Sequence, residues 1–188
     1  MLSKISLYIN TIRFLKPIQV YWRLIFWLIR PSIDTAPKPI LRLAESNWSC
    51  PAKRRPSLLG SDTFSFLNQS GRVSDLGWEG PPREKLWRYN QHYFDDLNSR
   101  GSENRRVWHL DIIHRWIDEN PISKGVGWEP YPTSLRIVNW IKWSFSGNKL
   151  TDKVLKSLFI QARWLSKRIE WHLLGNHLFS NAKALIYA

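Results

Sequence analysis

A chain of 188 residues is long enough to bury the core of one domain, and an apolar fraction of 43% argues against wholesale disorder. The net charge of +13 indicates an anionic partner, and the 12 Trp residues favour an acidic polysaccharide over nucleic acid because Trp packs well on sugar rings. In the alternative interpretation, the Trp residues are core and the cations are solvated. Cys50 is the only cysteine, which excludes an internal disulfide and favours a reducing compartment.

Residues 1–30 are predicted to form two amphipathic helices. MLSKISLYINTIRFL is the first, and Pro17 ends it and opens the second. The apolar run Ile18–Ile29 contains Arg23 and is shorter than the about 20 residues that cross a bilayer. Because no signal-peptide cleavage pattern is visible, we expect a cytoplasmic protein, with a periplasmic one as the alternative. The helical pair packs on its own domain or makes peripheral contact with a membrane.

Residues 31–100 are predicted to be a linker-like zone with short extended segments. RPSIDTAPKP and SCPAKRRPS are rich in Pro, Ser and charge, with little periodicity. Lys53–Arg55 is interpreted as a solvated loop, with a polyanion-binding patch as the alternative. Short extended segments are predicted at Phe64–Asn68, where apolar side chains alternate briefly, and at Leu86–Leu97.

Residues 101–188 are predicted to be helical. RRVWHLDIIHRWIDEN forms one helix, which ends at Asn120, and PTSLRIVNWIKWSF forms the next. Thr151 caps a long third helix that Gly175 ends, and NHLFSNAKALIYA begins a fourth. The third helix carries an apolar stripe at Val154, Leu158, Ala162, Leu165 and Ile169. Successive helices joined by short turns indicate a mainly α fold of stacked helical hairpins.

The segment GWEPYPTSLR is the first candidate for a binding site. Its two prolines are expected to present Trp128, Glu129 and Tyr131 at the mouth of a helix. Further along that helix, one face opposite the apolar one carries Arg136, Trp140 and Trp143. Arg binds a carboxylate or sulfate through two bonds, and Trp stacks on sugars, so this face suits an acidic glycan. In the alternative interpretation, a larger helical assembly buries both faces.

The adjacent Asn176 and His177 are the second candidate. They follow Gly175 at the start of a helix, where backbone N–H groups attract an anion. Asn donates to a carboxylate, and His moves a proton near neutral pH, although a lone His is often structural. His172 and His177 lack the spacing of zinc-binding helices, and no phosphate-binding loop is present, so neither a metal nor a cofactor is predicted.

Three ordered segments, LWRYNQHYFDDL, GWEPYPTSLRIVNWIKW and LLGNHLFSNAKAL, carry a family resemblance. Together they resemble the N-terminal helical domain of the heparinase II/III-like polysaccharide lyases. More narrowly, with TIRFLKPIQVYWRL, they resemble members associated with bacterial surface-polysaccharide gene clusters. The resemblance implies the opening helices of an incomplete (α/α) toroid, which a β-sandwich follows in the family. The missing C-terminal part of the fold would then be a partner of this chain.

The family reaction is β-elimination across a uronic acid. The resemblance implies that Asn176 neutralises the uronate carboxylate and that His177 acts as neutraliser or base. The family's Tyr acid/base and second His lie downstream, and Tyr187 comes too soon after the motif to replace that Tyr. We therefore expect a truncated lyase that is inactive alone. The alternatives are a non-catalytic acidic-glycan-binding module, which would use Arg136, Trp140 and Trp143, and a basic nucleic-acid-binding domain.

Overall fold

The computed structural model describes residues 6, 10–41, 48–49, 52–80 and 82–188, and the fold of this part is mainly helical, as predicted. The α-helices are α1 (Pro17–Leu28), α2 (Val73–Leu76), α3 (Lys85–Tyr93), α4 (Arg106–Glu119), α5 (Pro130–Phe145), α6 (Asp152–Ser166) and α7 (Gly175–Tyr187). Short 3₁₀ helices span Asp95–Asn98, Ser102–Arg105 and Val126–Trp128. An antiparallel hairpin of β1 (Thr63–Phe66) and β2 (Gln69–Arg72) precedes α2.

Helix α5 is the centre of the fold and packs against α3, α6 and α7. It begins two residues earlier than predicted, at Pro130, because proline suits the first turn of a helix, where an N–H group is not needed. Large aromatic side chains fill the space around it, and Trp116 of α4 and Trp140 of α5 are both fully buried. Their rings meet edge to face, with centroids 5.9 Å apart.

The zone between residues 52 and 100 contributes to this core rather than linking two parts of the chain. Its buried side chains, Leu58, Phe64, Val73, Trp78, Trp87, Phe94 and Leu97, belong to the same cluster as those of α4–α6. The extended prediction at Phe64–Asn68 is confirmed in part by β1, which ends at Phe66. The one at Leu86–Leu97 is wrong, because Trp87 and Gln91 lie one turn apart and are buried together on a helix, α3. Exposed Arg54 pairs with Asp95 at 2.5 Å, which fixes the basic loop to the domain.

The prediction of one long helix from Thr151 to Gly175 is wrong. Thr151 does cap the helix, since its Oγ1 accepts a hydrogen bond from the Val154 N–H at 3.4 Å, but α6 ends at Ser166. Residues 167–174 form an irregular turn, and Gly175 begins α7 instead of ending α6. The side chain of Asn181 holds this turn, because its Oδ1 accepts the backbone N–H of Glu170 at 2.8 Å. The Glu170 N–H, which would bond within the helix if α6 continued, therefore donates to a side chain instead.

The second predicted N-terminal helix is confirmed as α1, whereas the first falls largely on residues 1–5 and 7–9, outside the described part. Cys50 also lies outside it. Among the described residues, no helix combines the length and apolar character that spanning a bilayer requires. Arg163 and Lys167 of the α6 region bind backbone carbonyls of Ser32, Ala36 and Pro37, so the chain after α1 runs along α6.

Candidate active site

A cleft of about 750 Å³ opens between α1, α3, the α4–α5 connection and the turn before α7. Four cations line it: Arg30, Lys85, Lys124 and Arg168. Its carboxylates are Glu129 and Glu170, and His172 and His177 add two imidazoles. A cleft with an excess of cations and several groups that exchange protons is suited to binding an anionic ligand and to acid/base chemistry.

His177 and Glu170 form a pair at one wall of the cleft. His177 lies in the first turn of α7, and its Nδ1 is 3.2 Å from Glu170 Oε1. The His177 ring packs on Tyr131, with centroids 4.4 Å apart. Its side chain remains 36% exposed, whereas that of Glu170 is only 8% exposed. The two groups are close enough for an electrostatic interaction but are not aligned for a hydrogen bond, and Nε2 is the ring nitrogen left for proton exchange with a ligand.

Glu170 is held in a low-dielectric position. Asn181 Nδ2 donates to Glu170 Oε2 at 3.2 Å, and Asn181 itself is fully buried. Burial raises the pKa of Glu170, while the charge of His177 and the bond from Asn181 oppose that rise. The carboxyl group therefore binds a proton more readily than an exposed glutamate does, and a proton on either member of the His177–Glu170 pair interacts with the other.

Glu129 organises a second part of the cleft lining. It is the N-cap residue of α5, and its Oε2 accepts hydrogen bonds from Lys85 Nζ, at 2.9 Å, and from the Tyr89 hydroxyl. Burial, together with the bond to Glu129, raises the pKa of Tyr89 above its ordinary value. Tyr89 therefore keeps its proton at neutral pH and serves as a hydrogen-bond donor rather than a base.

Part of the predicted site comes together in this cleft. Trp128, Glu129 and His177 line it, and Tyr131 supports the His177 ring. Asn176 is exposed in the first turn of α7, and it is not among the residues that line the cleft. Asn176 and His177, which were predicted to act together, thus lie in different environments: His177 lines the cleft and Asn176 faces solvent. Adjacent residues on a helix are about 100° apart around its axis.

Arg136, Trp140 and Trp143 do not form the expected solvent-facing surface. Arg136 and Trp140 are fully buried, and Trp143 is 2% exposed, so the prediction that they meet a glycan is wrong. The alternative, burial of both faces of α5, is correct because α3, α6 and α7 all pack on this helix. A ligand in the cleft has no access to these three side chains.

Arg136 instead holds the connection that carries the cleft residues. Its guanidinium lies over the Trp116 ring, 3.8 Å from the centroid, and donates to Gly127 O and to Gln161 Oε1, each at 2.8 Å. Within the described residues no carboxylate pairs with it. Backbone and amide oxygens satisfy this buried cation, and the bond to Gly127 fixes the segment that ends in Trp128 and Glu129.

Sequence reasoning missed Lys85, Tyr89, Arg168 and Glu170. Lys85 and Tyr89 lie four residues apart, so a helix that begins at Lys85 and continues through LWRYNQHY would have placed them on one face. Glu170 gave no such signal, because its approach to His177 depends on the irregular turn before α7. Among the described residues, no three His, Cys, Asp or Glu side chains lie close enough to hold a metal ion.

Comparisons with known proteins found no matching family model, no similar curated protein and no similar solved structure. The function of the cleft is therefore inferred from its geometry and from the residues that carry the family resemblance.

Proposed function

We propose that the cleft binds a uronate unit of an acidic polysaccharide and that His177, with Glu170 beside it, moves a proton in a β-elimination reaction. The observation that carries this proposal is the 3.2 Å approach of His177 Nδ1 to Glu170 within a cleft lined by four cations. The opening helices of an incomplete (α/α) toroid would supply this wall of the site. The lone Cys50 supports a reducing, cytoplasmic setting.

Binding of the uronate carboxylate is supported by two features of the cleft. Lys124, Arg168 and Arg30 line it together with Lys85. Of these, Lys85 is already paired with Glu129, and Arg168 Nη1 donates to the carbonyls of Phe26 and Ile29. In addition, α7 begins beside the cleft without an acidic residue in its first turn, so its N-terminal N–H groups favour an anion. Asn176, in the same turn, is the donor that the resemblance assigns to the carboxylate.

The elimination requires a base and an acid on the sugar. The base takes the proton from C5, the C4–C5 double bond forms as the C4–O4 bond breaks, and the departing O4 takes a proton. His177 Nε2 suits the base role because Glu170 faces the other ring nitrogen. Tyr89 lines the same cleft, but its raised pKa and its hydrogen bond to Glu129 Oε2 make it a weak acid, so we assign the proton on O4 to solvent.

A binding module without catalysis is the second candidate. The position of Asn176, exposed and outside the lining of the cleft, favours it, because elimination needs the carboxylate neutralised next to the base. The cationic cleft would then hold acidic glycan without cleaving it.

One assay separates these functions. The full chain is incubated with polygalacturonate, alginate or heparan sulfate, and ultraviolet absorption of unsaturated uronate is followed while binding is measured by calorimetry. A lyase forms the chromophore, and His177→Gln slows it by about 10²-fold or more. His114→Gln, which changes a histidine that contacts Thr151 outside the cleft, is the matched control. Binding without chromophore fits the binding module and a lyase that is inactive without the family's downstream Tyr and His; a version of the chain that includes those residues forms the chromophore only if the protein is a lyase. Absence of binding to all three polymers contradicts both functions.

A further inference from the structure

Helix α1 is rich in large apolar side chains, and the described part of the chain packs on only one of its sides. The covered side packs on the turn before α7: Trp22 meets Trp171 with ring centroids 6.1 Å apart, and Phe26 meets His172 at 4.5 Å. Arg168 Nη1 also donates to the carbonyls of Phe26 and Ile29, at 2.7 and 2.9 Å. These contacts attach α1 firmly to the domain.

The opposite side of α1 is solvent-exposed. It carries Tyr21, Leu24, Trp27 and Leu28, which we call the outer face, and their exposed fractions range from 54% to 77%. The apolar side of an amphipathic helix is normally covered, and an exposed apolar patch of this kind marks an interaction surface. Trp and Tyr are the side chains that are enriched where protein meets the headgroup region of a bilayer.

Charge identifies the kind of surface that covers the outer face. The first 33 residues contain no Asp or Glu; the first acidic residue is Asp34. Five cations lie in this stretch: Lys4, Arg13, Lys16, Arg23 and Arg30. Exposed Arg23 precedes Trp27 by one turn, so a cation flanks the outer face directly. A second copy of the chain would bring two such sets of cations together, which like-charge repulsion opposes.

We propose that the outer face of α1 inserts into the interfacial region of a membrane that contains anionic lipids. The apolar side chains would enter the headgroup boundary while the flanking cations meet lipid phosphates. Phe26 and Arg30, on and just after the same helix, line the cleft. Since a helix is about 10 Å across, the cleft would open close to the lipid surface, so a bound polysaccharide would be held along the membrane.

Co-sedimentation of the full chain with lipid vesicles tests this proposal. We expect binding to phosphatidylcholine vesicles that contain phosphatidylglycerol, weaker binding to pure phosphatidylcholine, and loss of binding as salt is raised. Trp27→Ser combined with Leu24→Ser should weaken binding at least about tenfold, because two interfacial apolar side chains are removed. Arg23→Glu should weaken binding only to the anionic vesicles. Ile40→Ser, at a 97% exposed apolar residue away from α1, is the matched control and should bind as the wild type does.

Three results would overturn the proposal. These are no binding of the wild type to anionic vesicles, equal binding by the Trp27/Leu24 double variant, or self-association in lipid-free buffer that the double variant abolishes. The last would identify a second copy as the occupant. Urea unfolding of each variant confirms that it is folded. The outcome is independent of the polyuronate assay, because vesicle binding does not require the cleft to bind a sugar.

Discussion

His177 Nδ1 and Glu170 Oε1 lie 3.2 Å apart across the turn that precedes α7. The contact joins a half-exposed imidazole to a carboxylate that is almost completely buried, and Asn181 holds that carboxylate from the other side. The pair thus combines a buried acid with a more exposed imidazole, and both residues line the cleft. Its titration offers a direct test of the site, separate from any activity.

Glu170→Gln should make the protein less sensitive to rising pH. Burial raises the pKa of Glu170 in the folded state above its ordinary value of 4.5. As the pH rises above 4.5, ionisation of Glu170 therefore lowers the free energy of unfolding. Gln keeps an acceptor for Asn181 but has no charge. The comparison is made in the His177→Gln variant, which removes the neighbouring titration. As the pH increases, the free energy of unfolding of the His177→Gln/Glu170→Gln double variant should rise relative to that of the His177→Gln single variant. Urea unfolding at several pH values measures this, and a constant difference would contradict it.

Asp96→Asn should show the opposite pH dependence. Burial by itself would raise the pKa of Asp96, but bonds from His109, the backbone of Leu58 and Ser57, and Arg105 outweigh it and hold the pKa well below the ordinary 3.8. The ionised carboxylate therefore stabilises the fold above about pH 4, and this contribution is lost as pH falls toward the folded pKa.

Asp96→Asn removes the negative charge that faces the buried partners of this carboxylate. We expect the free energy of unfolding to fall by about 3 kcal/mol at neutral pH, and this loss should shrink as the solution is acidified. Urea unfolding followed by circular dichroism gives both values. Exposed Asp75→Asn is the control and should change stability by less than about 0.5 kcal/mol. Equal losses at pH 7 and pH 3 for Asp96→Asn would show that its charge is unimportant.

Gly127→Ala should destabilise the fold through His92. An added Cβ at residue 127 would lie 2.5 Å from His92 Nδ1. That ring cannot move freely, because Nδ1 accepts from Trp116 Nε1 at 2.9 Å and Nε2 donates to Trp78 O at 3.2 Å. Burial, with the charge of Arg136, lowers the pKa of His92 to about 3, which keeps this neutral tautomer.

We expect Gly127→Ala to cost about 2 kcal/mol in thermal or urea unfolding, as other overpacked cores do. Gly60→Ala is the matched control, since its Cβ would meet Thr63 no closer than 3.4 Å. Its stability should stay within about 0.5 kcal/mol of the wild type. If both variants unfold alike, the close approach at Gly127 has no energetic consequence.

Arg136→Lys should be strongly destabilising although it keeps the charge. The planar guanidinium bonds Gly127 O, Gln161 Oε1, His92 O and Thr133 Oγ1 at once while it stacks on Trp116. A lysine ammonium cannot satisfy these acceptors together or stack as a plane, so we expect a loss of about 3 kcal/mol in the free energy of unfolding. Exposed Arg106→Lys should be neutral in the same measurement, and a neutral Arg136→Lys would contradict the stacking argument.

Prediction from sequence succeeded where the signal was local. The helix ended by Asn120, the cap at Thr151 and the start of a helix near Asn176 all appear, because capping and apolar periodicity act within a few residues. The prediction failed at α3, where a short extended segment was expected. Only the packing of Trp87 and Gln91 against the core shows that this segment is helical.

By itself, the sequence determined a basic, mainly helical domain with GWEPYP at the mouth of α5 and His177 in the first turn of α7, because composition, turns and caps are properties of neighbouring residues. Tertiary structure decided which chemical groups meet. Burial of both faces of α5 removed Arg136 from any ligand, and the turn held by Asn181 brought Glu170 to His177. Such contacts join residues on different elements, so their distances depend on how the helices pack and not on spacing along the chain.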